Sequence, residues 1–295
     1  MKVLIADKFN EALPKDLAKA GHQVTTNVAD LADADVLVVR SKTKATAEYL
    51  APAKKLRLVI RGGVGVDNID VNYCKTKGII VRNTPEASSV AVAELAVGLM
   101  LAFARNLPQA HASTHAGGWE KTAFEGTELM GKTLGLLGAG RIAQEVARRA
   151  HAFGMKTIAY EILGTAPEPI KLVKSLDELF AQSDYLSLHV PATPQTEKMI
   201  NAAAIAKMKP TAVIINTARG KCVDEAALAA ALKEGRIRGA ALDVYAKEPP
   251  EGSPLVGCPR LIMTPHLGAS TGENLTRIAL RIVELTDELA AGKLK

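Results

Sequence analysis

With 295 residues, 48% of them hydrophobic, the chain can fill one large α/β domain or two smaller ones. Its net charge is +6, but 37 Lys and Arg are interleaved with 31 Asp and Glu, and only five Phe and one Trp are available to stack on bases. That pattern speaks against nucleic acid as a partner and leaves a solvated surface with some pull on small anions.

From the N-terminus, apolar runs of strand length alternate with helical patterns, the mark of α/β architecture with parallel sheets. Strands are expected over residues 2–6, 23–26, 36–40, 56–61 and 79–82. The first of these, Met1-Lys-Val-Leu-Ile-Ala6, is too short for a secretory signal. A near-continuously apolar helix is expected over residues 88–105, with Ser88 or Ser89 as its N-cap. Its composition implies burial on several sides, as at a domain or subunit junction, and no apolar run is expected to approach membrane-spanning length. After Gly117-Gly118-Trp119 a second strand series covers residues 134–137, 157–160, 185–190, 212–217, 240–244 and 261–264, and a last helix covers 273–291. Six strands complete one doubly wound sheet, so the first five need a sheet of their own, with ligand expected between the two domains. Cys74, Cys222 and Cys258 are odd in number and far apart, giving neither a metal-ligand spacing nor a disulfide framework; a reducing cytoplasm is the expected compartment.

The most specific local signal is Thr133-Leu-Gly-Leu-Leu-Gly-Ala-Gly-Arg-Ile-Ala143, an apolar strand, a glycine turn and a helix that begins at Arg141. Gly138 permits the tight turn, Gly140 lets backbone approach a pyrophosphate, and Ala143 keeps helix and strand close. The helix N-terminus offers N–H groups and a positive dipole end to phosphate. The next strand ends at Glu161, near the offset of about 20 residues at which a dinucleotide site places an acid for the adenosine ribose. No Arg follows Glu161 to receive a 2′-phosphate, so NAD is favoured over NADP.

In open α/β sheets, functional groups gather beyond the carboxyl ends of the strands. Those positions hold His189-Val190-Pro191, Asn216-Thr217-Ala218-Arg219-Gly220, Asp243 with Glu248 close behind, and Thr264-Pro265-His266-Leu267-Gly268. Oxidising a secondary alcohol needs a base for the hydroxyl proton while hydride leaves for a nicotinamide. A carboxylate beside a His orients its ring, and a guanidinium grips a substrate carboxylate with two parallel hydrogen bonds. Arg219, Glu248 and His266 fit these three roles, with His189 as the rival base.

Taken together, these stretches resemble the D-isomer-specific 2-hydroxyacid dehydrogenase family, and within it the branch acting on phosphoglycerate. Further motifs carry the resemblance: Val39-Arg-Ser41, Arg61-Gly-Gly-Val-Gly-Val-Asp-Asn-Ile-Asp70, Asn83-Thr-Pro85, Ala93-Glu-Leu95, Gly117-Gly-Trp-Glu120, Gly126-Thr-Glu-Leu129, Ala241-Leu-Asp-Val244, Glu248-Pro-Pro250 and Pro265-His-Leu-Gly-Ala-Ser-Thr271. The resemblance implies a Rossmann NAD-binding domain over residues 94–267 and a discontinuous, flavodoxin-like substrate domain over 1–93 and 268–295. It puts the catalytic trio on Arg219, Glu248 and His266. It has Arg141 and Ile142 bring backbone to the pyrophosphate beside Gly138 and Gly140, and Glu161 hold the ribose. Val190, Pro191, Thr217 and Ala218 would line the cofactor, and Asp243 and Gly268 would lie near the nicotinamide. Backbone N–H groups of the loop Arg61–Gly65, Gly62 and Gly63 among them, would meet the substrate carboxylate, and Arg40 with Arg61 would grip a substrate phosphate.

The implied reaction is NAD-dependent oxidation of D-3-phosphoglycerate, the first step of serine biosynthesis, by a homodimer with the 88–105 helix near its twofold axis. Sister activities on glyoxylate, hydroxypyruvate, pyruvate or a bulkier 2-keto acid remain open, as does an NAD-sensing corepressor on the same scaffold. Members of the phosphoglycerate branch often continue into regulatory domains, so a short form or catalytic core is expected here. Three departures stand out: Val64 where the family has Thr, Glu86-Ala-Ser-Ser89 in place of a Gly-Asn-Ser segment, and Glu161 in place of the commoner Asp.

Overall fold

The computed structural model describes residues 1–294. The chain divides into two compact units, one of residues 1–91 and 269–295, the other of residues 92–268.

In the first unit the order is β1 (Lys2–Ile5), α1 (Ala12–Lys19), β2 (Gln23–Thr25), β3 (Val36–Val39), α2 (Ala47–Leu50), β4 (Leu58–Arg61), α3 (Val71–Thr76) and β5 (Ile80–Asn83). All pairings are parallel and the sheet order is β2-β1-β3-β4-β5, the flavodoxin-like arrangement. Strand side chains alternate between two cores. Val36 and Val38 face one that holds Leu13 and Leu17, and Leu37 and Val39 face another that holds Leu50 and Cys74. With both faces covered, β3 is buried at every position and reads in sequence as an unbroken apolar run.

The division of the chain falls within α4 (Pro85–Ala104). This helix starts three residues before the expected Ser88 cap, because Pro85 suits the first helical position, where a missing N–H costs nothing. Ser89 instead donates its hydroxyl back to the Pro85 carbonyl. Contrary to the sequence expectation, α4 does reach the length and mean hydropathy (1.9) of a membrane span; 67% of that stretch is buried, as in a core helix.

The second unit continues with α5 (Leu107–His115), β6 (Thr133–Leu137), α6 (Arg141–Ala152), β7 (Lys156–Tyr160), β8 (Lys171–Leu172), α7 (Leu176–Gln182), β9 (Tyr185–Leu188), α8 (Ala202–Ala206), β10 (Val213–Asn216), α9 (Glu225–Glu234), β11 (Gly239–Leu242) and β12 (Leu261–Met263). Its seven parallel strands take the order β12-β11-β10-β9-β6-β7-β8, so the direction of winding reverses between β6 and β9. Six of the seven match the expected series; the addition is β8. Again both faces are covered: Val213 and Ile215 turn to one core, Ile214 to the other. The chain returns to the first unit with α10 (Gly272–Ala290), whose Ile278, Ile282 and Leu285 pack with the β1 and β3 side chains. Thr271 caps α10 by accepting from the Asn274 N–H.

Candidate active site

In the seven-stranded sheet, the loops leaving β6, β9, β10, β11 and β12 all emerge at the carboxyl edge, on both sides of the winding reversal where open α/β sheets bind ligands. The glycine turn follows β6. Gly138 has φ +90°, and a Cβ there would fall 2.9 Å from the His189 carbonyl oxygen and 3.1 Å from Val190, so both conformation and approach demand glycine. Gly140 differs: a Cβ would meet nothing within 4 Å, and its backbone is extended. The protein's own packing asks for no glycine there, which fits a position kept bare for a phosphate. Gly140 is also the N-cap of α6 and no side chain caps that helix, so its first turn suits a pyrophosphate. Ala143 is fully buried and brings the helix close to the sheet. Glu161, just beyond β7, accepts from the N–H groups of Ala139 (2.7 Å) and Leu163 (3.1 Å). Gly140, Arg141, Glu161, Leu163 and Pro167 line one cavity of about 360 Å³. The glycine turn and the acid are thus brought together as expected.

The loop after β10 is clasped by the last residue of the strand. Buried Asn216 accepts from the Ala218 N–H (3.0 Å) and donates to the Arg219 carbonyl (2.9 Å). Thr217 is buried and its hydroxyl has no hydrogen-bond partner among the described residues, as suits a polar atom facing a cofactor. The Arg219 guanidinium donates to the Ala218 carbonyl at 2.6 Å.

Glu248 and His266 meet. His266 Nδ1 lies 2.7 Å from Glu248 Oε2, while Glu248 Oε1 accepts from the Tyr245 N–H at 3.2 Å. Burial pulls the Glu248 carboxyl up, but the His266 hydrogen bond and charge, the Tyr245 N–H and the nearby Arg219 charge outweigh it and hold the group below its ordinary value. With Nδ1 engaged, Nε2 is the ring atom left for a substrate. His266 sits at φ +53°, a left-handed conformation that is uncommon outside glycine but more accessible to His than to most residues. The turn around it is held by Asp243. Its fully buried carboxylate accepts from Thr264 Oγ1 (2.6 Å) and from the N–H groups of Leu267 (2.7 Å) and Gly268 (2.8 Å), and its carbonyl accepts from the His266 N–H (2.9 Å). Asp243 and Gly268, expected beside the nicotinamide, therefore fasten the turn that carries His266.

The rival base has no carboxylate partner among the described residues. His189 hydrogen-bonds to Ser187 at 2.9 Å, and burial pushes its pKa down to about 3. So low a pKa makes the ring a weak base. The following residues, Val190 and Pro191, leave β9 beside Gly138, with Val190 in van der Waals reach of it.

In the first unit, Arg40 follows β3 and Arg61 ends β4, whose residue 61 is in register with Val39. Gly63 has φ +143° and lies against the Arg61 side chain. Within the expected donor loop of residues 61–65 the amides divide. The Gly62 N–H donates to the Val39 carbonyl (2.9 Å) and the Gly63 N–H to Thr84 Oγ1 (2.8 Å), so both are committed within the protein. The amides of Val64 and Gly65 make no such bond among the described residues, and the Asn83 side chain ties this loop down by donating to the Val64 carbonyl. Sequence reasoning missed Asp7, Phe9 and Asn68, whose contacts to Arg40 link loops distant in the chain.

A doubly wound dinucleotide fold with an Arg, Glu and His set beyond its strands defines the class, and comparison with known proteins defines the family. Residues 97–268 match the model of the D-isomer specific 2-hydroxyacid dehydrogenase NAD binding domain. D-3-phosphoglycerate dehydrogenase of Methanocaldococcus jannaschii is 47% identical over 305 aligned residues, covering 100% of this chain and 58% of that protein. Hydroxypyruvate reductase of Thermotoga maritima is 50% identical over 258 residues, 85% of this chain and 83% of the relative. The solved structure of the TT0316 protein of Thermus thermophilus superposes with a TM-score of 0.92 at 34% identity, over 99% of this chain and 98% of that one. The chain belongs to the D-isomer specific 2-hydroxyacid dehydrogenase family, and its second unit carries that family's NAD-binding domain.

Proposed function

We propose that the chain catalyses NAD-linked interconversion of a D-2-hydroxy acid and its 2-oxo acid, with D-3-phosphoglycerate and 3-phosphohydroxypyruvate as the pair. The observation that carries the reading is the 2.7 Å contact between His266 Nδ1 and Glu248 Oε2, with Arg219 close enough to lower the Glu248 pKa.

Bound NAD supplies the hydride acceptor. Gly138, Gly140, Arg141 and Ile142 hold its pyrophosphate, Glu161 its ribose, and Val190, Pro191, Thr217 and Ala218 its flank. In oxidation, His266 Nε2 removes the hydroxyl proton, and the Glu248 carboxylate orients the ring and stabilises the imidazolium that forms. In reduction the same imidazolium returns the proton. Arg219 holds the substrate carboxylate through its planar fork, which fixes the reacting carbon. The amides of Val64 and Gly65 add donors to that carboxylate, and Arg40 and Arg61 take the phosphate.

The phosphorylated substrate is supported by the 47% identity over the whole chain to a phosphoglycerate dehydrogenase and by the two arginines at the ends of β3 and β4. Because the chain spans 58% of that relative's length, the activity is inferred from the matched part. A second reading, reduction of unphosphorylated hydroxypyruvate, is favoured by the 50% identical reductase and by Glu86, which sets an exposed carboxylate in the first turn of α4. The reading also includes a homodimer, checked by light scattering. The deciding experiment follows NADH consumption with 3-phosphohydroxypyruvate, hydroxypyruvate, pyruvate and glyoxylate at matched concentrations. Preference for the phosphorylated acid supports the first reading; turnover of unphosphorylated acids alone replaces it with the second.

A further inference from the structure

The five-stranded sheet reverses its winding between β1 and β3, and ligands of open α/β sheets bind beyond the carboxyl ends at such a reversal. The two loops that leave those ends are locked to each other through Arg40. Three successive residues after β1 hold three parts of it. Buried Asp7 accepts from the Arg40 N–H at 2.5 Å, the Lys8 carbonyl accepts from Arg40 Nη1 at 3.3 Å, and the Phe9 ring centroid lies 5.8 Å from the guanidinium carbon. Asp7 also accepts from the Thr43 N–H (3.1 Å) and hydroxyl (2.6 Å), which closes the loop over residues 40–43. On the other side, the Asn68 amide spends both hydrogens on the Arg40 carbonyl (2.7 Å) and the Thr43 carbonyl (2.6 Å). Phe9 also presses on the glycine loop after β4, since a Cβ on Gly62 would fall 2.6 Å from its ring.

We propose that Phe9, with Asp7 and Asn68, is a positioning residue that presets the Arg40 guanidinium and so sets the preference for a phosphorylated substrate. The proposal rests on the reading above in which Arg40 takes the substrate phosphate. An arginine free to rotate loses conformational freedom when it grips an anion; one already seated on a ring and a carbonyl loses less, so the gain appears as affinity. The aromatic face adds attraction for the cation without competing for its outer N–H donors. Asp7 and Asn68 make the seat rigid by fixing the Arg40 peptide from both sides.

The test measures KM and kcat of the purified chain with 3-phosphohydroxypyruvate and with hydroxypyruvate, in the wild type and in Phe9→Ala, Phe9→Tyr, Asn68→Ala and Arg40→Ala. Phe9→Ala is expected to raise KM for the phosphorylated acid about two- to five-fold relative to hydroxypyruvate, with the loss in KM rather than kcat. Phe9→Tyr, which keeps the ring face, is expected to restore the ratio, and Asn68→Ala to shift it in the same direction as Phe9→Ala. Equal losses with both acids, or a fall in kcat alone, reduce Phe9 to a structural residue and overturn the proposal. If Arg40→Ala removes the preference while Phe9→Ala and Asn68→Ala retain it, positioning is overturned and the phosphate reading stands. A wild-type ratio in Arg40→Ala overturns both. Should Phe9→Ala fail to fold, Asn68→Ala decides by the same criterion.

Discussion

Gly220 lies against the backbone of Tyr245 so closely that a Cβ would fall 1.9 Å from the Tyr245 carbonyl carbon. The contact joins two loops of the site, because Gly220 follows Arg219 and the Tyr245 N–H donates to Glu248. Backbone on both sides leaves no flexible side chain to yield, so Gly220→Ala must part the loops. The expected result is a destabilisation of about 1–3 kcal/mol or more, with kcat/KM falling further than stability alone explains. Thermal melting and steady-state kinetics on the same preparation check this; a variant with wild-type kcat/KM would show that the Arg219 and Glu248 loops need not touch.

The Glu248 carboxyl titrates below its ordinary value of 4.5 in the folded chain, since the His266 and Tyr245 hydrogen bonds and nearby positive charge outweigh burial. A depressed acid stabilises the fold above its unfolded pKa and loses that contribution as pH falls through the folded value. Urea unfolding of the wild type and Glu248→Gln should therefore differ at pH 7 and converge in acid, below the folded Glu248 pKa. At pH 7 the variant should lose at least about ten-fold in kcat, because His266 loses the anion that orients it. A stability gap that persists unchanged in acid would mean the carboxylate's charge is not what holds this loop.

Much of this arrangement is legible from the chain because strands announce themselves by unbroken apolar runs, and functional residues follow strand ends. Arg219 and Glu248 sit beyond β10 and β11, and His266 beyond β12, where a reader of strand boundaries would look. The strand β8 escapes such reading. It is two residues long with both side chains exposed, so it carries no apolar signal. The start of α4 is misplaced by pattern alone because two serines look like caps, while Pro85, placed earlier, governs where the helix begins. Phe9 escapes for another reason: a lone aromatic after β1 looks like any core residue, and its partner Arg40 lies at the end of a different strand. Asn68 stands inside a recognisable motif, yet no spacing says that its amide reaches two carbonyls after β3.

Two histidines lie beyond strand ends in the second unit, and their environments separate them. Burial takes His189 from 6.5 to about 3, whereas His266 keeps 41% of its side chain exposed and has a carboxylate partner. Because the folded pKa of His189 is lowered, the unfolded chain binds its proton first. Its neutral burial is fully compatible with the fold above about 6.5 and becomes destabilising as pH falls toward 3. Thermal stability of the wild type should decline through that window, and His189→Gln should flatten part of the decline. His266→Ala should lose about 100-fold or more in kcat at neutral pH while still binding NAD, as read by fluorescence titration. Retained turnover in His266→Ala would remove it as the acid–base group.

Glu161 accepts two backbone N–H groups in the turn region, one of them from Ala139 in the glycine fingerprint, and it borders the same cavity as Gly140. Its charge bears on cofactor choice in two ways. On the proposed reading it accepts ribose hydroxyls and repels the 2′-phosphate that distinguishes NADP from NAD. Removing it has opposite effects on the two cofactors: Glu161→Ala takes a charge-assisted hydrogen bond from NAD, about 10- to 100-fold in affinity, and takes a repulsion from NADP. The ratio of kcat/KM values with NADH and NADPH should therefore fall by at least about ten-fold, with most of the change in KM. The two exposed side chains that follow, Ile162 and Leu163, offer no cation to a phosphate, so the variant should become indifferent rather than selective for NADPH. An unchanged ratio would mean that the ribose is held elsewhere and that Glu161 serves only to brace the Ala139 turn.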